Sequence, residues 1–280
     1  MSLRIITDST VDTSAAFGEK IAANVPLTIT FGEEDYIDGV TINKNEFYDK
    51  LVSSEELPKT SQASPDAFVK VFEELTARGE SAVVITVSSR LSGTYQSARI
   101  AAEDFPNVQV VDSRNVSVGS GVLAEYACRC AEQGMGLEEL TQHLIQKREE
   151  IGLVALVDTL KYLKKGGRIS GTAAIAGEIL NIKPVITIQD GEIAILGKAR
   201  GSKKANNFLV EQINKTGVNY DMPILLGYTG NSDEMLQAYV HDSQSLWKGC
   251  VDHLDHVQIG SVVGTHAGPG AVAVAYFKKH

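Results

Sequence analysis

Cysteine, tryptophan and proline are scarce in this chain, with three, one and seven copies among 280 residues. Three thiols cannot pair completely, and Cys128 and Cys130 stand only two positions apart. A disulfide-stapled secreted scaffold is therefore excluded, and a reducing, cytoplasmic setting is expected. No apolar run approaches the roughly 20 residues that a membrane helix needs, and the densest, Ala271 to Phe277, is strand-sized. The chain enters a strand pattern at Leu3-Arg4-Ile5-Ile6, without the basic-then-apolar order of a signal peptide. Nucleotide-binding glycine loops are missing too. Neither a phosphate loop ending in Gly-Lys-Ser/Thr nor a Gly-x-Gly-x-x-Gly fingerprint occurs among the 25 glycines, and Gly119-Ser120-Gly121 is too short to stand for one.

Positive charge is in deficit, with 26 Lys and Arg against 35 Asp and Glu, a net −9 that should repel a nucleic-acid backbone. The deficit is uneven. Residues 1–150 hold 13 basic and 24 acidic side chains, whereas Thr159 to Lys204 holds nine basic and three acidic ones. That stretch reads either as a solvated basic face or as a site for an anion or acidic partner.

What is present is ordinary globular material, 43% hydrophobic, in a chain long enough for two domains. In the first half, β-branched runs alternate with helix-period segments. Strands are expected at Arg4 to Thr7, Ala82 to Val87 and Val108 to Val111, with an extended segment from Asn24 to Phe31 limited by Pro26. Helices are expected from Asn43 to Ser53, after the Ser64-Pro65 cap to Arg78, from Gly93 to Phe105, from Gly119 to Gln133 and from Leu137 to Glu149. This rhythm predicts an α/β unit, an open and mostly parallel sheet covered by helices, with ligands beyond the carboxyl ends of its strands. Those ends carry the polar clusters Asp8-Ser9-Thr10, Ser88 to Thr94 and Asp112-Ser113.

The second half reads as α+β with a mixed sheet, and a boundary falls near residue 152. Strands are expected at Ile151 to Val157, Ile182 to Ile188, Glu192 to Leu196, Ile224 to Tyr228, Ile259 to Val263 and Val272 to Tyr276, and a helix from Ser202 to Thr216. Asp190-Gly191 between two strands predicts a hairpin. Trp247 to His256 carries both helix and strand signals.

Metal ligation is not expected. Side chains two apart on a helix, as at Cys128 and Cys130, diverge, and His253 with His256 lacks a supporting carboxylate set. A serine hydrolase could be assembled from Ser92, His266 and Asp8, yet no Gly-x-Ser-x-Gly elbow surrounds any serine. The same hydroxyls can serve as hydrogen-bond donors. Thr60-Ser61 in a loop, with Ser92-Gly93-Thr94 opening a helix, makes a seat for a carboxylate or phosphate. The loop Gly264 to Gly270 either brings backbone and the His266 imidazole to a ligand or is a tight connection between strands.

Several motifs occur in order along nearly the whole chain. They are Ile6-Thr7-Asp8-Ser9-Thr10, Asp38-Gly39, Pro58-Lys59-Thr60-Ser61-Gln62 and Leu91-Ser92-Gly93-Thr94-Tyr95-Gln96-Ser97-Ala98. Further on come Tyr162-Leu163-Lys164-Lys165-Gly166-Gly167-Arg168-Ile169, Asn181-Ile182-Lys183-Pro184, Gly264-Thr265-His266 and Gly268-Pro269-Gly270. Together they resemble the DegV family of bacterial fatty-acid-binding proteins. Ala63, Ala267 and Thr13 depart from the family pattern without touching the implied donors.

The resemblance implies a carrier rather than an enzyme, with no cofactor. Residues 1–152 would provide a polar ligand floor, and 153–280 an acyl-chain tunnel and the basic segment. Its ligand would be a long-chain fatty acid such as palmitate or a C18 acid, its carboxylate held by Thr60 and Ser92 with Ser61, Gly93 and His266 close by. The carrier would present the acid to a separate ATP-dependent fatty acid kinase that forms the acyl-phosphate. Asp38, Arg168 and Arg200 would lie at the mouth, for phosphate or kinase. The resemblance also admits transient contact with a membrane.

Overall fold

The computed structural model describes residues 2–169, 181–247 and 254–279. The first part of the chain forms β1 (Leu3–Asp8), α1 (Ala15–Gly18), β2 (Ile21–Val25), β3 (Thr28–Phe31), β4 (Glu34–Ile37), α2 (Lys44–Ser53), β5 (Lys59–Ser61), α3 (Pro65–Ala77), β6 (Ser81–Thr86), α4 (Thr94–Ala102), β7 (Val108–Asp112), α5 (Val118–Glu132) and α6 (Leu137–Lys147). The second forms β8 (Ile151–Leu156), α7 (Lys161–Lys165), β9 (Ile182–Gln189), β10 (Glu192–Arg200), α8 (Ser202–Thr216), β11 (Leu225–Tyr228), α9 (Glu234–Asp242), α10 (Gln244–Trp247), β12 (Asp255–Gln258), α11 (Ser261–Ala267) and β13 (Val272–Phe277).

Local chemistry accounts for several of these starts. Asn43 and Glu46 form a capping box at α2, and the Ser64 side chain caps α3 with Pro65 in its first turn. Asp190 (φ 52°) and Gly191 (φ 82°) both take the left-handed conformation that a two-residue hairpin demands, and β9 and β10 pair across them.

The sheets bear out the α/β and mixed readings. One is fully parallel, in the order β2-β1-β6-β7, with Ile5 opposite Val83 and Ile85 opposite Val111. The other runs β10-β9-β8-β13-β11-β12 and is antiparallel except between β11 and β12. All of β8 pairs within this second sheet, which therefore starts at Ile151. A small antiparallel sheet, β4-β3-β5, lies beside the parallel one.

The core is layered. Ile6, Ala82 and Val84 on one face of the parallel sheet meet Phe68 and Phe72 of α3. Ile5, Val83, Ile85 and Val111 on the other meet α5, whose far side meets Leu153, Ala155, Ala273 and Ala275 of the second sheet. The outer face of that second sheet, including Val154, Leu156 and Val185, is covered by Leu209 and Ile213 of α8 and by Tyr239 and Trp247. Helix α5 is thus buried between two sheets, and Gly119-Ser120-Gly121 answers to that. A Cβ on Gly119 would fall 1.9 Å from Asn115 Oδ1, and one on Gly121 1.9 Å from the Asp12 carbonyl.

Four expectations are corrected. The segment Asn24 to Phe31 breaks at Pro26, which has no N–H for a ladder, into β2 and β3 in different sheets. Thr60 and Ser61 lie in the short strand β5, paired with β3, rather than in a loop. Ile259 to Val263 is not a strand. Its β-branched Val262-Val263 is overridden by packing, and α11 takes up 261–267 instead. His266 therefore sits in the last turn of a helix, not in a glycine loop, and the glycine that turns the chain is Gly268 (φ 72°). Cys250 and His253 lie outside the described residues.

Candidate functional site

The polar strand ends of the parallel sheet face the second sheet, and the buried Asp8 carboxylate organises them. It accepts hydrogen bonds from the Thr10 amide (2.9 Å), the Thr10 hydroxyl (2.5 Å) and the Val87 amide (2.8 Å). Burial pushes its pKa up, and these three donors pull it part of the way back. Asp8 thus joins the ends of β1 and β6. It does not orient His266.

Between the sheets lies a cavity of about 840 Å³, its open mouth included. Its wall comes from both sides of residue 152: Leu27, Val87, Leu91 and Val116 from one, Leu153, Ala155, Val157, Ile186, Ile188, Ile193 and Ala273 from the other. Strand alternation explains the second group. Leu153 and Ala155 point into the cavity, while Val154 and Leu156 point into the outer core. Ala155 and Ala273 are direct cross-strand partners, so two small side chains leave width at one level of the wall.

The polar side chains of this lining are Thr60, Ser92, Arg168 and His266, together with Thr10 and Ser117. His266 Nε2 lies 2.9 Å from Thr60 Oγ1, and Ser92 Oγ lies 2.9 Å from Thr94 Oγ1 at the start of α4. His266 Nδ1 is buried, and among the described residues it has no hydrogen-bond partner. It faces Gly166, where a Cβ would fall 2.1 Å away, so the Lys165-Gly166-Gly167 turn makes room for the ring. Burial, together with the charge of Arg168, lowers the imidazole pKa to about 4, and the ring is neutral at neutral pH.

This has a testable sign. Below pH 6.5 the unfolded chain takes up a proton that the native imidazole refuses until about pH 4, so stability falls as pH drops through that window. Across the whole window this amounts to roughly 3 kcal/mol. Asp8, Asp38 and Glu125, whose pKa values are raised by burial, act in the opposite sense. Urea unfolding of His266→Gln between pH 4 and 7 is expected to show a shallower acid loss than wild type. An unchanged slope would mean that this imidazole does not resist protonation.

The remaining expected site residues divide. Gly93 caps α4 beside Ser92, and its missing side chain admits Gln62, whose Oε1 would lie 1.9 Å from a Cβ there. Ser61 is exposed, next to Thr60. Arg168 bridges two backbone carbonyls, Leu91 (3.1 Å, from Nε) and Gly166 (2.7 Å, from Nη1), and so ties the glycine turn to the loop that carries Ser92. Asp38 is buried outside the lining, close to Ser9, Ser261, Asp12 and Lys44. Arg200 is exposed at the end of β10, with Lys198, Lys204 and Glu211 around a separate groove.

Two further polar residues of the lining, Thr10 and Ser117, were not among the expected site residues. Thr10 lay within the flagged strand-end cluster. Ser117 carried no signal, because its role comes from a backbone at φ 54°, ψ −131° and a bond from its hydroxyl to Asp12 Oδ2 (2.8 Å). Among the described residues, no group of three or more His, Cys, Asp and Glu is placed to hold a metal ion, and no helix is long and apolar enough to cross a membrane. Cys128 and Cys130 are buried, and burial pushes both thiols up.

Comparison with known proteins finds a match to the model of a family described as uncharacterised proteins of the DegV family, over residues 2–279. A DegV domain-containing protein of Caldanaerobacter subterraneus is 38% identical over 91% of each chain. Among solved structures, a fatty-acid-binding DegV family protein from Thermus thermophilus is similar over 100% of both chains, at 31% identity and a TM-score of 0.87. A stearic acid-binding protein from Eubacterium ventriosum is similar over 99% of this chain and 98% of its own, at 29% identity and a TM-score of 0.85.

Proposed function

This chain belongs to the DegV family, and we propose that it is a carrier that holds one long-chain fatty acid between its two units and presents it to a separate ATP-dependent fatty acid kinase. The observation that carries the reading is a mostly apolar cavity between the sheets in whose lining the Thr60 hydroxyl and the His266 imidazole meet. That is the chemistry of a ligand with a long apolar tail and one polar end. The fatty acids bound by the similar proteins of Thermus thermophilus and Eubacterium ventriosum support the ligand class.

The division of labour follows from magnitudes. Each buried CH₂ contributes about 0.8 kcal/mol, so a tail of about 16 carbons supplies roughly 10 kcal/mol before ordering costs. A hydrogen bond to a charged head group contributes roughly 1.5–3 kcal/mol. The tail therefore sets affinity and the polar cluster sets orientation. In the tautomer in which His266 Nε2–H donates to Thr60 Oγ1, the Thr60 hydroxyl proton is free to point at a carboxylate oxygen. Ser92 would supply the second hydroxyl. The start of α4 beside it adds the favourable end of a helix dipole. Kinase presentation rests on the family resemblance, and Arg168, Arg200 and Asp38 remain the proposed contacts for phosphate or kinase. For Arg168, bonds to two backbone carbonyls also favour a bracing role.

A hydrolase built on the same residues finds less support. Ser92 bonds Thr94, His266 bonds Thr60 and Asp8 bonds Thr10 and Val87, so no serine–histidine–carboxylate chain is assembled. Organic extraction of the purified protein followed by mass spectrometry is expected to release a stoichiometric long-chain acid. p-Nitrophenyl acyl esters are expected to give no burst. A burst abolished in Ser92→Ala would overturn the carrier reading in favour of an acyl-enzyme.

A further inference from the structure

Helix α11 carries His266, and both of its ends are bonded to the first part of the chain. At its start the Gly260 amide donates to Asp12 Oδ1 at 2.9 Å, and the Ile259 carbonyl accepts from the Tyr48 hydroxyl at 3.0 Å. In its last turn His266 Nε2 meets Thr60 Oγ1. Between these points the helix lies against Tyr48 so closely that a Cβ on Gly264 would fall 2.6 Å from the Tyr48 hydroxyl.

Asp12 is more than a cap. It is 5% exposed, and its Oδ1 also accepts from Lys44 Nζ (3.1 Å) while its Oδ2 accepts from the Ser117 hydroxyl (2.8 Å). Lys44 Nζ reaches on to the Gln258 carbonyl, two residues before Gly260. One carboxylate thus joins α2, the start of α5 and the start of α11. A buried charge is stable only when its partners are complete, so this node has little freedom to drift. Neither Asp12 nor Tyr48 lines the cavity.

Geometry turns the node into a lever. Gly260 and His266 are six residues apart, about 9 Å along a helix axis. A tilt of about 10° at the Gly260 end would displace the imidazole by about 1.5 Å, which exceeds the range over which a hydrogen bond survives. We propose that Asp12 and Tyr48 are positioning residues for the head-group site: by fixing the axis of α11 they set His266 against Thr60. The inference rests on the carrier reading above.

The test compares two ligands with the same tail, hexadecanoic acid and hexadecan-1-ol, on the full chain after delipidation. Loss of stability alone weakens both together, whereas misplacement of the head-group site weakens the acid selectively, since only the acid makes charge-assisted bonds. Wild type is expected to prefer the acid. Asp12→Ala is expected to reduce that preference about tenfold, with affinity for the alcohol held within about twofold. Tyr48→Phe keeps the buried ring and removes only the hydroxyl. It is expected to reduce the preference about threefold, and it decides the matter alone if Asp12→Ala does not fold. Acid and alcohol weakening in parallel, or an unchanged preference in Tyr48→Phe, would overturn the positioning role and leave the carrier reading intact. A wild-type protein that binds neither ligand would instead overturn the carrier reading and this inference with it.

Discussion

Ala155→Phe is expected to leave the protein folded and to abolish retention of 16- and 18-carbon acids. Ala155 and Ala273 face one another across β8 and β13, and both line the cavity. A phenyl ring there enters open volume, so the overpacking cost of roughly 1–3 kcal/mol that a filled core would impose is largely avoided. The tail loses that space. Displacing four or five methylenes costs about 3–4 kcal/mol, which is two to three orders of magnitude in Kd. Acids of about 10–12 carbons should keep most of their affinity if they stop short of this level. Isothermal titration across chain lengths reads both effects. Equal affinity for an 18-carbon acid in wild type and variant would mean that the tail does not pass between β8 and β13.

The second large effect is expected at the other end of the ligand. Thr60→Val combined with Ser92→Ala removes both hydroxyls and keeps their approximate shapes. Binding should weaken by about 100- to 10,000-fold and not be lost, because the tail remains buried and charged hydrogen bonds contribute roughly 1.5–3 kcal/mol each. Acyl-phosphate formation with a cognate kinase should suffer further, since an unheld carboxylate is badly placed for attack on a phosphoryl group. Measuring Kd and kinase-coupled turnover on the same preparation separates the two. Undiminished turnover at saturating lipid would remove these hydroxyls from the presentation step.

The architecture was legible wherever one local signal ruled. Ala82 to Val87 is apolar at almost every position because β6 is covered on both faces, and Asp190-Gly191 suits a turn that needs two left-handed residues. The motifs around Thr60, Ser92, Gly166 and His266 pointed to residues that meet at one cavity, although more than 200 positions separate Thr60 from His266. Where two signals competed, local reading failed. Val262 and Val263 have the side chains of a strand, but the helix they join is bonded by Asp12, Tyr48 and Thr60.

The alternation of strand and helix, the hairpin, the acidic first half and the set of hydroxyl and imidazole residues were determined by the sequence itself, because each depends on neighbours a few positions apart. Tertiary structure alone decided the rest. It made Gly119 and Gly121 packing contacts under Asn115 and Asp12. It turned Arg168 toward two backbone carbonyls and set Arg200 apart from the cavity. It also built one apolar wall from both sides of residue 152. Each of these outcomes depends on which surfaces meet across the gap between the two sheets, and contacts between residues far apart in the chain leave no periodicity or spacing to read.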